Sequence, residues 1–300
     1  MNYLTFTIWL CAISNCFTFY SLLAEDCCIE ECATYSPDIA YVSHIEGHGV
    51  GYRDGYSTLG LFLSSPNSWN NCIRPFIDLR GHVFNSGRPA ANAGIGARYL
   101  SPCSDTVLGG NFFYDFREGQ KKSYHQVGLG FEILSPRWDF RANGYLPVGP
   151  KRGKIASAEF LYPGRFFAFY EEHERTAAGG DIEVGFHVKR RGVCDFFGFY
   201  AASGSYYFDT KGIDRKAWGG KIRLVAELGK YINVEVRSSY DRVFHGTVQG
   251  LVSLIFPFGG PCDRSNCNRM DALCDVIAAQ PVQRNEMIVL DHQYRWKANF

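Results

Sequence analysis

Two short stretches combine residue types that could support metal or acid–base chemistry. His44, Glu46 and His48 place two imidazoles and a carboxylate close together, and these groups are common transition-metal ligands. Residues 171–174 read Glu-Glu-His-Glu, which offers proton donors and acceptors side by side. However, the first stretch lies among glycines ahead of the first predicted strand, and neighbours on a strand point to opposite faces. We therefore favour a polar loop for the first and a solvated loop or lumen patch for the second.

Nucleophilic and phosphate-binding arrangements are equally weak. The pairs His245 with Ser253 and His187 with Ser203 are separated in sequence and lack a surrounding hydrolase motif. The glycines at 47–51 and 94–96 neither open a helix nor precede a lysine in the spacing of a phosphate-binding loop. The sequence therefore predicts that the protein is not an enzyme and has no cofactor and no metal site.

The composition limits the class of protein. The chain has 300 residues, with 31 basic and 30 acidic residues and a net charge of +1, which gives no support to nucleic-acid binding. No internal apolar run reaches the roughly 18 residues that a membrane-spanning helix needs, so helical spans are not expected in the mature chain. Aromatic residues make up 16% and glycines number 32, a composition that suits a transmembrane barrel.

The N-terminus and the cysteines indicate export. Residues 1–24 form an apolar stretch typical of a signal peptide, although the absence of Lys and Arg before it leaves an uncleaved anchor as the alternative. Removing Cys11 and Cys16 with this segment leaves nine of the 11 cysteines, and an oxidising compartment favours disulfide bonds between them. Because nine is odd, at least one thiol is free or bonded to another chain. Residues 25–49 are predicted to be an N-terminal periplasmic segment.

Alternation of apolar and polar residues is the main structural signal. In residues 125–134 one side carries Val127, Leu129, Phe131 and Ile133, and the other Gln126, Gly128, Gly130 and Glu132. A period of two is a strand pattern. Twelve such segments lie between residues 50 and 256, one of them at 165–174, and most match the length of about 9–11 residues of a tilted membrane strand. An even number of long strands with charges at mid-strand favours a closed barrel with a polar lumen.

The predicted fold is therefore all-β, a twelve-stranded antiparallel transmembrane β-barrel over residues 50–258, with a soluble β protein as the alternative. We predict a mixed-charge lumen lining of Asp78, Arg80, Arg141, Glu183, Lys221, Arg223, Glu235 and Arg237. After the barrel, residues 259–280 are predicted to contain a short amphipathic helix, since Met270, Leu273 and Ile277 have helical spacing. Residues 281–300 are predicted to be an extended linker.

Three stretches resemble the β-domain of inverse autotransporters, the intimin and invasin family of outer-membrane adhesins. The first covers 109–119 and 125–149, where GGNFFYDFREG and HQVGLGFEILSPRWDFRANGYLPVG are similar to the family's strand sequences. The second, ERTAAGGD at 174–181, is similar to a family strand start. The third, PVQRNEMIVL at 281–290, resembles the linker after the last strand and contains Arg284 and Asn285.

The resemblance implies a barrel in the bacterial outer membrane whose C-terminal linker runs back through the lumen and presents a passenger at the cell surface. It also implies outer-membrane lipid, periplasmic chaperones and the barrel assembly machinery as partners. Family adhesins continue into long chains of domains, whereas this sequence ends at Phe300. We therefore expect no long passenger. Three interpretations stay open: a truncated export unit, a plugged or porin-like pore, and a structural surface protein.

Overall fold

The computed structural model describes residues 38–64, 73–101, 106–162, 166–189, 197–209, 216–229, 231–258, 277 and 279–299. The predicted signal peptide, all 11 cysteines, Met270 and Leu273 lie outside these residues. The predictions of disulfide bonds and of an unpaired cysteine therefore also concern residues outside the described ranges.

The described chain forms fifteen strands. They are β1 (Ile39–Gly47), β2 (Tyr56–Ser64), β3 (Ile73–Phe84), β4 (Pro89–Leu100), β5 (Val107–Glu118), β6 (Ser123–Leu134), β7 (Trp138–Val148), β8 (Arg152–Tyr162), β9 (Phe166–Thr176), β10 (Ala178–Lys189), β11 (Phe197–Asp209), β12 (Lys216–Leu228), β13 (Ile232–Asp241), β14 (His245–Pro257) and β15 (Leu290–Asn299).

Twelve of these strands close into an antiparallel barrel in the order β1-β14-β13-β12-β11-β10-β7-β6-β5-β4-β3-β2. The barrel closes where β1 pairs with β14, from Ile39 opposite Pro257 to Gly47 opposite Gln249. Strands β8 and β9 form a hairpin outside the barrel, and β15 pairs with β9 to make a separate three-stranded sheet. We call the end where β1 begins and β14 finishes the Ile39 end, and the opposite end, where the β8–β9 hairpin is inserted, the hairpin end.

The predicted number of barrel strands is confirmed, but two of its members differ. The structure places barrel strand β1 at Ile39–Gly47, within the range predicted as a periplasmic segment. The segment predicted at 165–174 becomes β9 and lies outside the barrel, because β7 pairs directly with β10 from Phe186 opposite Trp138 to Gly179 opposite Tyr145. The alternation rule does not predict β1, because its outward positions include His44 and Glu46, which break the apolar pattern.

The predicted short C-terminal helix is not supported. Within the described residues of that region, only Ile277 has helical backbone geometry, and Ala279 and Gln280 lie in a turn. The described chain contains no helix that is long and apolar enough to span a membrane.

Burial follows the predicted alternation. Leu129 and Phe131 on β6 are 67% and 47% exposed, whereas Gln126 and Glu132 on the same strand are 2% exposed. Exposed Ile, Leu, Val and Phe side chains recur outside the other barrel strands, including Ile95, Ile182, Leu224 and Val252. A soluble monomer rarely exposes an apolar surface of this extent, so the exterior fits lipid and the interior is polar.

This assignment predicts the effect of a charge on the outer face. Leu129→Arg, at the middle of β6, is expected to lower the free energy of unfolding by about 2–4 kcal/mol, because the charge would enter the hydrocarbon. Ser123→Arg, an exposed position on the same face near the hairpin end of β6, should cost only about 0–1 kcal/mol. Urea titration of the protein folded into lipid vesicles measures both. Equal costs at the two positions would contradict a lipid-facing Leu129.

Candidate functional site: a polypeptide segment inside the lumen

The barrel lumen contains part of the protein's own C-terminal region, which we call the lumen segment (277 and 279–289). At the Ile39 end, Ile277 packs against Leu100, Val107 and Leu134, which lie at the ends of β4, β5 and β6. At the hairpin end, Val289 packs against Tyr145 and Phe208, and Leu290 then begins β15. The lumen segment therefore crosses the barrel from the Ile39 end to the hairpin end.

Side chains of the barrel wall satisfy the backbone of the lumen segment. The Val282 N–H donates to Asp78 Oδ2 at 3.0 Å, and the Asn285 N–H donates to the Tyr145 hydroxyl at 2.8 Å. Five carbonyls of the segment accept from wall side chains: Gln280 from Arg98, Val282 from Arg80, Gln283 from Asn143, Glu286 from Asn92 and Ile288 from Arg117. These bonds replace a strand ladder, because an extended chain enclosed by protein must pair its backbone groups.

A buried ion pair fixes the middle of the segment. Both terminal guanidinium nitrogens of Arg284, Nη1 and Nη2, donate to the Asp115 carboxylate, at 2.6 and 2.7 Å, and the two side chains are 2% and 1% exposed. The guanidinium carbon also lies 4.3 Å from the centre of the Phe113 ring, a cation–π geometry. Bidentate pairing of this kind adds directional specificity to the charge attraction.

Glu286 makes the second ionic contact between the segment and the wall. Arg80 donates to the Glu286 carboxylate at 2.7 Å, and the Tyr56 hydroxyl donates to it at 3.0 Å. The same guanidinium donates to both oxygens of Asp78 at 2.9 and 2.6 Å. Arg80 is therefore shared between a carboxylate of the wall and a carboxylate of the segment.

Apolar contacts flank this polar region on both sides. Towards the Ile39 end, Val282 packs against Phe62, Phe76 and Phe113. Towards the hairpin end, Met287 packs among residues that include Ile45 and Phe84, and Ile288 packs against Tyr124. The segment thus has apolar, polar and apolar zones along its length, and each zone meets a matching part of the wall.

The loop between β1 and β2 closes over the segment at the hairpin end. Gly51 has a φ of +78°, and a Cβ atom added there would lie 2.7 Å from Leu290 N and 2.7 Å from Val289 Cγ1. Only glycine fits such close backbone contact in this conformation. The Gly51 carbonyl also accepts from Arg117, which simultaneously donates to Ile288. One arginine therefore ties this loop to the exiting chain.

A residual cavity of about 110 Å³ lies between the segment and the opposite wall. Gln283, Arg284 and Asn285 form its inner side, and the outer side comes from strands β7 and β10 to β14 and from the loop between β1 and β2. Its charged lining includes Arg141, Asp181, Glu183, Lys221, Arg223 and Arg237. The segment is therefore held against the β3–β7 wall, and the remaining space is polar and of mixed charge.

The structure separates the eight predicted lumen residues into two groups. Asp78 and Arg80 contact the segment directly. The other six form an ionic network on the β7–β13 wall, with Lys221 bonded to Asp181 at 2.8 Å and Arg223 to Glu183 at 2.6 Å. Arg141 pairs with Asp139 and lies 3.8 Å from Glu183, while Glu235 pairs with Arg237 and lies 3.8 Å from Arg223. Within this network, Arg223 also reaches the segment, donating to the Gln283 side chain at 3.3 Å.

Several residues that hold the segment were not among the predicted lumen residues. They are Asn92, Arg98, Asp115, Arg117, Asn143 and Tyr145. Asp115, Arg117, Asn143 and Tyr145 lie within the stretches that suggested the family resemblance, and all are inward positions of their strands. These residues could therefore have been predicted from the family-like stretches, by taking every second position of each strand as facing the lumen. Of the predicted linker residues, Ile277, Arg284 and Asn285 all contact the wall.

The residues considered for metal or acid–base chemistry lie outside the lumen. His44 and Glu46 are on the outer face of β1, 3.2 Å apart and half or more exposed, rather than in a loop before the first strand. Glu171 lies on β9, where a hydrogen bond from Lys154 lowers the pKa of its carboxyl group. In the described ranges, no three His, Asp, Glu or Cys side chains are grouped so as to hold a metal ion.

The serine and histidine pairs are not brought together as a hydrolase would need. His245 and Ser253 are on the same strand, β14, eight positions apart, or about 26 Å at the rise of an extended chain. His187 is hydrogen-bonded to Asp139 at 3.0 Å, and the register places Ser203 opposite Val184 rather than opposite His187.

A closed barrel with an apolar exterior and a polar lumen defines a transmembrane β-barrel of the outer membrane. The sequence profile of the family "Inverse autotransporter, beta-domain" matches residues 76–188. This match confirms the resemblance to the inverse autotransporter β-domain and places the protein in the bacterial outer membrane.

Solved structures of membrane proteins match the chain at low sequence identity. One, from a study of the in-meso crystallization of membrane proteins, is 17% identical with a TM-score of 0.57, and the match covers 86% of this chain and 100% of that one. An outer membrane channel from Pseudomonas putida F1 is 10% identical, with a TM-score of 0.47 and coverage of 78% and 99%. The translocator domain of the autotransporter NalP from Neisseria meningitidis is 13% identical, with a TM-score of 0.34 and coverage of 82% and 97%. The search of curated proteins gave no match.

Proposed function

We propose that the protein is a membrane anchor and translocation unit that presents its C-terminal region at the cell surface. The observation that supports this most directly is the path of the lumen segment. It enters beside Leu100 and Leu134 at the Ile39 end and leaves beside Tyr145 and Phe208 at the hairpin end, where β15 continues outside the barrel. The contacts described above hold an extended chain across the lumen, as an anchor that presents its C-terminal region requires.

The direction of crossing follows from strand number. Twelve antiparallel strands return the chain to the side on which it started, so β1 begins and β14 ends at the Ile39 end. For a chain exported through the inner membrane, that end faces the periplasm. A stretch from residue 277 to residue 290 can extend about 43–47 Å, whereas the hydrocarbon layer is about 30 Å thick. The segment is therefore long enough to carry β15 to the extracellular side.

We also propose partners for the barrel. The apolar exterior is surrounded by outer-membrane lipid, and a barrel of this kind needs periplasmic chaperones and the barrel assembly machinery to insert. The odd cysteine count leaves an intermolecular disulfide as a further proposed contact.

The first test is the protease accessibility of an epitope tag fused after Phe300 on intact cells. We expect cleavage from outside, with a periplasmic protein as the leakage control. The same tag inserted at Pro136, in the β6–β7 turn at the Ile39 end, should stay protected, and a tag at Gly87, in the β3–β4 turn, should be cleaved. Protection of the Phe300 tag beside an accessible Gly87 tag would contradict surface display.

A porin-like or plugged channel is the alternative function. The specific observation that favours it is the polar cavity of about 110 Å³ beside the segment, lined by residues such as Lys221 and Glu183. A conducting role requires this space to continue to both ends of the barrel. Conductance measurements on the intact chain and on a chain lacking the lumen segment separate the two functions.

A further inference from the structure

The β8–β9 hairpin offers one edge to the chain that leaves the barrel. β15 pairs with β9 in antiparallel register over ten positions, from Leu290 opposite Thr176 to Asn299 opposite Phe167. The other edge of β9 pairs with β8, from Arg152 opposite Arg175 to Tyr162 opposite Phe166. The two hairpin strands are adjacent in sequence, whereas β15 comes more than 100 residues later. The hairpin can therefore form first, with the β9 edge open.

The hairpin is fixed to the barrel where the chain exits. Glu174 on β9 is buried and accepts a hydrogen bond from the Gln120 N–H in the β5–β6 turn at 2.9 Å. Next to β9, the Ala177 N–H donates to the Val289 carbonyl at 3.0 Å. The β9 edge consequently starts at the last residue of the lumen segment, and no gap separates the lumen contacts from the ladder.

Side-chain contacts make the β9 edge complementary to β15. The Tyr170 ring on β9 lies 4.8 Å from the Trp296 ring and 6.0 Å from the Tyr294 ring, centre to centre. His292 lies 3.6 Å from Glu172 and 3.8 Å from Glu174. Cross-strand aromatic pairs of this kind stabilise antiparallel pairing, and the histidine–carboxylate contacts add polar complementarity on the same face.

We infer that the β8–β9 hairpin is a binding site for an extended polypeptide strand, which captures the chain as it emerges and prevents it from sliding back. This inference rests on the proposed translocation function. An open strand edge binds an extended chain through main-chain hydrogen bonds, and pockets for alternate side chains add selectivity. Each residue of β15 that pairs with β9 would have to break ladder contacts before re-entering the lumen, so the pairing makes export directional.

The test uses the full chain with a tag after Phe300 and follows the time course of tag accessibility on intact cells. In one variant, residues 152–176 are replaced by a short Gly-Ser turn, because β7 and β10 already pair without them. We expect this barrel to assemble, as shown by its heat-dependent gel mobility and an accessible Gly87 tag. We expect display of the Phe300 tag to be severalfold slower or lower.

Point variants decide the question if the shortened barrel does not assemble. Tyr170→Thr keeps a good strand former on β9 but removes the ring that contacts Tyr294 and Trp296, and we expect slower display. Tyr231→Thr, which removes an exposed ring at the Ile39 end, is the matched control and should display as the parent does. Glu172→Lys, which removes the carboxylate 3.6 Å from His292, should also slow display.

The outcomes distinguish the two levels of the proposal. If the parent chain does not display the Phe300 tag, the proposed translocation function is wrong, and the proposed capture site, which depends on it, is wrong as well. If the parent displays the tag and the hairpin and Tyr170 variants display it at the same rate and extent, the capture site alone is wrong. Slower display in these variants, with normal display in the Tyr231 control, supports the capture site.

Discussion

Deleting residues 277–300 is expected to turn a closed barrel into a conducting one. The lumen segment now fills the space between the β3–β7 wall and the residual cavity, and its apolar zones seal the lumen at Ile277 and Val282 on one side and at Met287 and Val289 on the other. Eight-stranded barrels are just wide enough for side chains to fill, and barrels of 16–18 strands hold aqueous channels. A twelve-stranded barrel without its segment should therefore contain a continuous water-filled path.

Single-channel recording in planar bilayers measures this effect. We expect discrete conducting steps for the deletion of 277–300 and no comparable steps for the intact chain. The matched control is a deletion of 290–300, which removes β15 and leaves the lumen segment in place, and it should stay closed. If the intact chain conducts as freely as the 277–300 deletion, the segment does not seal the lumen, and the porin-like function is favoured.

The barrel strands were predictable wherever lipid imposes a residue choice. On β6, β10 and β12 every second side chain faces outward, so apolar residues such as Leu129, Ile182 and Leu224 alternate with polar inward ones. Strand β1 lacks that signal, because His44 and Glu46 occupy outward positions near the hairpin end. Hydrocarbon constrains outward residues most strongly at mid-strand and less near the interface, and the period-two rule weakens there as well.

In the three-stranded sheet, the strands are recognisable from the sequence but their pairing is not. The sequence of β9 is strand-like, and its alternation says nothing about which strand it pairs with. β15 alternates Leu290, His292, Tyr294 and Trp296 with Asp291, Gln293 and Arg295, but its partner lies more than 100 residues away. The local alternation of residues therefore predicts an extended chain. Which sheet that chain joins depends on pairing with a distant strand, and the local sequence does not determine this pairing.

The contacts inside the lumen depend on the same long-range information. Arg284 and Asp115 belong to two separate stretches of the family resemblance and are 169 positions apart. Asp115 falls on the alternate positions of β5 that face inward, so the sequence predicts that it faces the lumen. A linker inside the lumen would bring Arg284 into the same space. Only the register between the segment and the wall decides that these two side chains meet and that Glu286 meets Arg80.

Removing one partner of the Arg284–Asp115 pair should cost much more than removing both. Arg284→Met leaves the Asp115 carboxylate without its guanidinium partner in a site where both groups are 1–2% exposed, and breaking a buried pair from one side typically costs about 3–5 kcal/mol. Arg284→Met combined with Asp115→Leu removes both charges and should recover much of that loss. Lys221→Met is the matched control for the segment, because Lys221 pairs with Asp181 and Glu183 on the same wall and donates to these carboxylates rather than to the segment.

Two measurements are made on four proteins: the parent, Arg284→Met, the double variant with Asp115→Leu, and Lys221→Met. Urea unfolding from lipid vesicles gives the free energies, and amide hydrogen exchange at residues 279–289 shows whether the segment leaves its place before the barrel unfolds. Because Arg284 belongs to the segment and Asp115 to β5, we expect Arg284→Met to raise exchange across the segment while the β5 and β6 ladder stays protected. The double variant should restore protection in part, and Lys221→Met should leave it unchanged. Equal exchange in the Arg284→Met variant and the parent would show that the side chain does not hold the segment in the lumen, and that the backbone contacts to Asp78, Asn92 and Tyr145 suffice.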